Sequence, residues 1–242
     1  MGLFVLADCM ALVGWAWVQL RDPHTLPIQW VRVEGEFRQL KPALLQAMVA
    51  AEVKGGSYTV RVDAIRQVLL RNPWVQSVAV RRIWPDGLEV RVAEKKAVAV
   101  WGEQGLLDPE GQLFSPPKES YPLGLIRLNG PPGAEARMLA RLREIREGIA
   151  PLGLEVEGLT LTSRRAWSFA LRDGPTVVVG RTGFEERVRR FIDRYPQLLS
   201  RQWNELGQID LRYTNGFTVS LKPRSGATAQ QKEEHREGEK AG

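Results

Sequence analysis

An alternating run, a Pro-Asp-Gly tripeptide and a second alternating run constrain this chain more than any other feature of its 242 residues. Before Trp84, Val78 and Val80 alternate with Ser77, Ala79 and Arg81. After Gly87, Leu88, Val90 and Val92 are apolar, whereas Glu89, Arg91 and Glu94 are not. Period two on both sides of a turn signals a β-hairpin with one buried face. Pro85 presets φ in that turn, and Gly87 is expected at a positive φ after it. The buried face needs a cover. Asp63 is placed to cap a short helix carrying Ile65, Val68 and Leu69, which ends before Asn72-Pro73.

The residues before this helix complete a small domain. Ile28 to Val33 reads as a strand closed by Glu34-Gly35. Pro42 stands in the first turn of a helix whose Leu44, Leu45, Met48 and Val49 form an apolar stripe. Gly55-Gly56 breaks the chain before the Asp63 helix. The order is β-α-α-β-β. A three-stranded sheet with two helices on one face buries every one of these stripes, an α+β arrangement.

The second half reads as a β-rich domain with two flanking helices. Ala97 to Trp101 is a strand, and Leu106 to Phe114 is a strand–turn–strand about Asp108-Pro109-Glu110-Gly111. Ser115 to Pro122 is a loop, and Leu125 to Leu128 a strand. The first helix runs from Glu135 to Gly148, with Met138, Leu142, Ile145 and Ile149 on one face. Leu159 to Ser163 and Ala166 to Arg172 are strands, the latter with Trp167, Phe169 and Leu171 on one side. Asp173-Gly174 turns the chain into Thr176 to Val179. The second helix starts near Phe184, with Val188, Phe191, Ile192 and Tyr195 inward and a kink at Pro196. Ile209, Leu211 and Tyr213 form the penultimate strand, Asn215-Gly216 a tight turn, and Phe217, Val219 and Leu221 the last strand.

At the other end, Leu3 to Leu20 is almost wholly apolar, with Asp8 the exception. That length is about the minimum for crossing a hydrocarbon core of roughly 30 Å. Trp15 and Trp17 fall where an interfacial aromatic belt would. No small-residue cleavage site follows, so residues 1–20 are expected to be an uncleaved transmembrane helix and 21–27 a linker. Charge bias does not orient it: no Lys or Arg precedes the run, and Arg21 follows. Residues 223–242 are charged and lack apolar period, which predicts a disordered tail.

Composition limits the chemistry. The formal charge of +6 fits nucleic acid, an anionic membrane or an acidic protein. No basic stretch interleaves with aromatics, so no nucleic-acid partner is expected. Cys9 is the only cysteine, which excludes an intramolecular disulfide and four-cysteine zinc. The two histidines, His24 and His235, lie outside the expected domains. Nucleophile, base and orienting group therefore have little material, and no dinucleotide or Walker-type glycine loop is present. No catalytic residue, cofactor, metal or small-molecule substrate is expected. Binding remains: an edge strand offers unpaired N–H and C=O groups to an extended partner segment.

Several stretches carry a family resemblance. Val33-Glu34-Gly35, Asn72-Pro73-Trp74-Val75-Gln76-Ser77-Val78, Arg81-Arg82-Ile83-Trp84-Pro85-Asp86-Gly87-Leu88 and Val90-Arg91-Val92-Ala93-Glu94-Lys95 together resemble a POTRA domain. Downstream of one anchor, this is similar to the FtsQ/DivIB cell-division family. So are Leu161 to Trp167, Arg190-Phe191-Ile192-Asp193-Arg194-Tyr195-Pro196 and Ile209 to Gly216, and the resemblance covers about residues 28–221. It implies a POTRA domain at 28–95 and an FtsQ-type β-domain at 96–222. It further implies a non-enzymatic divisome scaffold, single-pass type II in the cytoplasmic (inner) membrane, largely periplasmic and enriched at the septum. The implied partners are FtsB and FtsL, with other divisome proteins including the septal peptidoglycan synthase. By resemblance, partner binding falls to Arg164, Arg165, Arg212, Tyr213, Asn215, Gly216, Phe217, Val219 and Leu221. The edge near Ile28 to Val33 is a second candidate surface. Two other classes stand beside this one: a POTRA-containing transport or outer-membrane assembly factor, and a periplasmic cell-wall hydrolase or its activator. The first usually carries several repeats and a long barrel pattern; this chain has one repeat and no such pattern.

Overall fold

The computed structural model describes residues 28–53, 60–213 and 216–222, with Met10, Leu12 and Gly14, and all their side chains except 198–202. Most of the expected anchor, the linker, Asn215 and the tail lie outside the described residues. Met10, Leu12 and Gly14 are helical. Among the described residues, no helix is long and apolar enough to cross a membrane. Two compact units are present: Met1–Lys96 with Phe114–Tyr121, and Ala97–Leu113 with Pro122–Gly242.

In the first unit the chain runs β1 (Trp30–Glu34), α1 (Pro42–Glu52), α2 (Val62–Leu70), β2 (Val75–Ile83) and β3 (Gly87–Glu94). The sheet order is β1-β3-β2, with β1 parallel to β3 and β2 antiparallel to it. Leu45 and Val49 of α1, Ile65 and Leu69 of α2, and Leu88 and Val90 of β3 are fully buried. The opposite sheet face carries a lattice of charge. Arg81 and Arg91 both pair with Glu89, at 3.2 and 2.8 Å, and Arg91 also reaches Glu34 at 3.5 Å.

Four details depart from the sequence reading. Asp63 lies within the first turn of α2, behind an Arg61 N-cap that has no side-chain cap; there its charge complements the helix dipole. Leu44 is exposed, because only the i,i+4 pair Leu45 and Val49 faces the sheet. Gly87 is not at positive φ. Its need for glycine is space: the Trp30 indole occupies the position a Cβ would take. The loop from Ser115 also has a partner within this unit. The Trp74 indole N–H donates to Ser120 Oγ at 2.9 Å, and the Trp74 ring meets Phe114 edge-on at 5.3 Å.

The second unit is built on β4 (Ala99–Trp101), β5 (Gly105–Leu107), β6 (Leu113–Phe114), β7 (Ile126–Asn129), β8 (Val156–Leu161), β9 (Trp167–Leu171), β10 (Thr176–Gly180), β11 (Leu206–Asp210) and β12 (Thr218–Leu221). Its sheet order is β12-β11-β10-β9-β8-β7-β4-β5-β6. Parallel neighbours need long crossovers. Two of them contain the helices: α3 (Glu135–Ile149) joins β7 to β8, and α4 (Phe184–Arg194) leads from β10 towards β11. Met138, Ile145 and Ile149 of α3 and Phe191 of α4 are buried in one core with Leu128, Leu159, Phe169, Val177 and Ile209. The two helices are also tied by Arg141 and Glu185 at 2.5 Å. After α4 a π-helical turn at Tyr195–Leu199 contains Pro196, consistent with the expected kink.

Candidate functional site

Among the described residues, β12 is the outermost strand of the large sheet, paired on one side only with β11. Its register sets Ile209 against Val219 and Leu206 against Leu221. Ile209 and Leu206 face the core, so Val219 and Leu221 lie on that same side. They are nevertheless 47% and 61% exposed. All four residues of β12 are exposed, and none is charged. Lys222 N–H donates inward to Glu205 O at 2.8 Å. Strand alternation then turns the N–H and C=O of Val219 and Leu221 outwards.

The chain reaches this edge through residues 211–217, a connection of seven residues between Asp210 and Thr218. The placement of Tyr213 in the penultimate strand is corrected here, since β11 ends at Asp210; the tight turn expected at Asn215-Gly216 involves Asn215, which lies outside the described residues. The ladder with β10 ends where Leu211 N–H donates to Val178 O at 2.8 Å. The buried Asp210 carboxylate then takes over. It accepts Arg212 N–H at 3.0 Å and the Arg212 guanidinium at 2.6–2.9 Å. A carboxylate that bonds the backbone two residues on bends the chain out of extended form. The Arg212 hydrogen bond also holds the Asp210 carboxyl below its usual range, against the opposing effect of burial. Asp210 in turn raises Arg212.

Two arginines of α4 brace the same connection. Arg187 donates to Val179 O at 2.7 Å and to Arg212 O at 3.2 Å. Arg190 donates to Tyr213 O at 2.9 Å, while Glu186 holds its other nitrogen at 3.0 Å. Gly180, at φ +92°, leaves room for this: a Cβ there would meet the Arg187 guanidinium at 2.8 Å. The sequence reading missed Asp210, Arg187, Arg190 and Gly180. A signal existed, since the i,i+3 spacing of Arg187 and Arg190 sets them on one helix face beside the apolar Val188 and Phe191.

The expected site residues are thus partly assembled. Tyr213 is 56% exposed, with its backbone clamped. Phe217 is half-buried against the core, and Gly216 is partly exposed. Asn215 lies outside the described residues. Arg164 and Arg165 are exposed in the β8–β9 turn, where Arg165 adopts φ 62° and donates to Thr162 O at 2.8 Å. The registers Leu161↔Trp167, Trp167↔Gly180, Val178↔Asp210 and Asp210↔Thr218 carry that turn to the same end of the sheet. It remains three to four strand spacings from β12, roughly 14–19 Å. The two arginines share an end of the sheet with the edge and do not touch it. Arg212 is committed to Asp210. Among the described residues no cluster of His, Cys, Asp and Glu could hold a metal ion.

Residues 26–95 match the family model "POTRA domain, FtsQ-type", and residues 99–212 match "Cell division protein FtsQ/DivIB, C-terminal". The chain belongs to the FtsQ/DivIB family of bacterial cell division proteins. Similar relatives are the cell division protein FtsQ of Coxiella burnetii, 33% identical over 85% of this chain and 84% of that one, and that of Xanthomonas campestris, 35% identical over 95% and 81%. FtsQ of Neisseria gonorrhoeae is 32% identical over 91% and 90%. FtsQ relatives are named as cell division proteins and not as enzymes. Of the classes weighed from sequence, cell division is the one that family membership supports. The FtsQ C-terminal match stops at Arg212, so Tyr213 and β12 fall just beyond it.

Proposed function

We propose that this FtsQ-family chain is a non-enzymatic divisome scaffold whose β12 edge takes up an extended segment of FtsB, with FtsL bound alongside. Residues 1–20 anchor it in the inner membrane with the remainder periplasmic. Residues 28–95 and 96–222 act as its POTRA and β-domains, linking earlier division proteins to the septal peptidoglycan synthase.

The observation that carries the reading is the state of β12. It is the outermost strand, wholly exposed, uncharged and flanked by an exposed Tyr213. Strand addition draws affinity from main-chain hydrogen bonds and specificity from alternate side chains. Val219 and Leu221 offer apolar contact on the core side of the added strand. Tyr213, an amphipathic ring on a clamped backbone, suits an anchoring role. Arg164 and Arg165 extend the surface at the same end of the sheet, where forked guanidinium groups can pair with carboxylates of the partner.

The test is binding of the full-length chain, in detergent, to an FtsB periplasmic segment. Tyr213→Ala is expected to weaken it by about 2 kcal/mol, the scale of an interface anchor. Unchanged affinity removes the site. Midcell localisation of a fluorescent fusion tests the septal assignment, and detectable wall digestion by the protein would contradict the non-enzymatic one.

A further inference from the structure

The turn end of the first unit exposes two tryptophans that the partner edge does not use. Trp84 is 75% exposed and Trp30 is 37% exposed. Trp84 opens the hairpin turn between β2 and β3. Trp30 begins β1, lies opposite Gly87 in the register, and spreads its indole over that glycine. Gln29 N–H donates to Asp86 O at 2.8 Å, which pins the start of β1 to the turn. Arginines stand around the pair. The Arg32 guanidinium lies 5.4 Å from the Trp30 ring centroid. Arg82 donates to Val60 O at 2.8 Å, which brings the start of α2, with Arg61, to the same end. The acidic groups beside these arginines are Asp63, Asp86, Glu89, which lies opposite Arg32 in the register, and Glu34, which pairs with Arg32 at 3.9 Å.

Water is a poor place for an indole this exposed, and the position in the chain says what could cover it. Only residues 21–27 separate the apolar run from Ile28. Seven residues, fully extended, reach about 25 Å at most. Because β1 starts at the turn and runs away from it, the turn end is the end of the unit at which the chain arriving from the proposed anchor enters. We infer that Trp30 and Trp84 seat in the interfacial layer of the membrane, with Arg32, Arg61 and Arg82 at headgroup level. This rests on the anchor of the proposed function and goes beyond it, giving the unit a second hold on the membrane. Tryptophan favours that layer because its ring is apolar and its N–H still finds polar partners. Arginine adds attraction to anionic headgroups.

The experiment uses the full chain, with Cys9→Ser and one added cysteine carrying an environment-sensitive fluorophore. It is reconstituted in vesicles of phosphatidylcholine and phosphatidylglycerol, with or without a doxyl-labelled phosphatidylcholine. The label goes at Asp86→Cys in the turn or at Leu123→Cys, a fully exposed loop position in the other unit. A several-fold larger quenching at 86 than at 123 is expected, and Trp84→Asp should abolish that difference. Trp84 is exposed, so this variant is expected to keep the parent melting temperature. Equal quenching at both sites overturns the inference while vesicle flotation of the chain leaves the anchor standing. Failure to float overturns both. Quenching unchanged by Trp84→Asp, together with lost midcell recruitment, would assign the patch to a protein partner and also overturn it.

Discussion

The two sheets end in edges of opposite character. In the small sheet, β1 presents Arg32 and Glu34, and β2 presents Arg81 and Arg82. Charged side chains on an edge oppose addition of another strand. In the large sheet, β12 presents Thr218, Val219, Ser220 and Leu221, with no charge in the strand. The outer strands of both sheets have a neighbour on one side among the described residues, β1 and β2 partly exposed and β12 wholly so, and an unpaired edge alone does not mark a docking strand. The difference lies in whether the chain guards the edge, and an exposed uncharged edge is open to pairing with another chain. The β1 edge, a second candidate surface on sequence grounds, is by this criterion the weaker one.

Proline scanning gives the sharpest break. Val219 N–H points outward, so Val219→Pro removes a donor that only a visiting strand would use. Binding of the FtsB segment should weaken roughly thirtyfold, about 2 kcal/mol, with little change in melting temperature. Ser220→Pro, one position on, removes an inward N–H and should instead lower the melting temperature. Equal effects of the two prolines would show that β12 acts only as structure. A guard can also be installed: Leu221→Lys should weaken FtsB binding by about 1 kcal/mol, measured by calorimetry.

The converse change removes a guard. Arg32→Thr should raise self-association relative to the parent, read by sedimentation at high protein concentration, because β1 then has one charge fewer to repel a second strand. The smallest effect concerns the approach to β12. Asp210 is depressed in the folded state by Arg212. Its stabilising contribution is therefore complete above the unfolded carboxylate range, near pH 4, and is lost as pH falls through the lower folded value. Asp210→Asn should lower the melting temperature by a few degrees at neutral pH and flatten this part of the acid limb.

Much of the fold was legible locally. The stripe Met138, Leu142, Ile145 and Ile149 is buried as its spacing predicts, and so are Trp167, Phe169 and Leu171 on one side of β9. The Asp108-Pro109-Glu110-Gly111 turn is held by Asp108, which accepts N–H groups from Glu110 and Gln112 at 3.1 and 2.7 Å. The failures share a cause. Ile209, Leu211 and Tyr213 keep perfect alternation, yet the strand stops at Asp210, where the carboxylate captures Arg212 just after Leu211 N–H makes its bond to β10. Gly87 reads as a turn glycine, yet its constraint is the Trp30 ring from a strand over fifty residues earlier.

From the chain alone came the elements, their faces and the scarcity of Cys and His, because periodicity, turn residues and residue inventory are local properties. Tertiary structure alone decided that β12 has one neighbour among the described residues, that Arg164 and Arg165 stand roughly 14–19 Å from it, and that Arg187 and Arg190 clamp the approach to it. Strand order is set by which long-range pairings bury the most apolar surface together, and no window of sequence contains both partners of such a pairing.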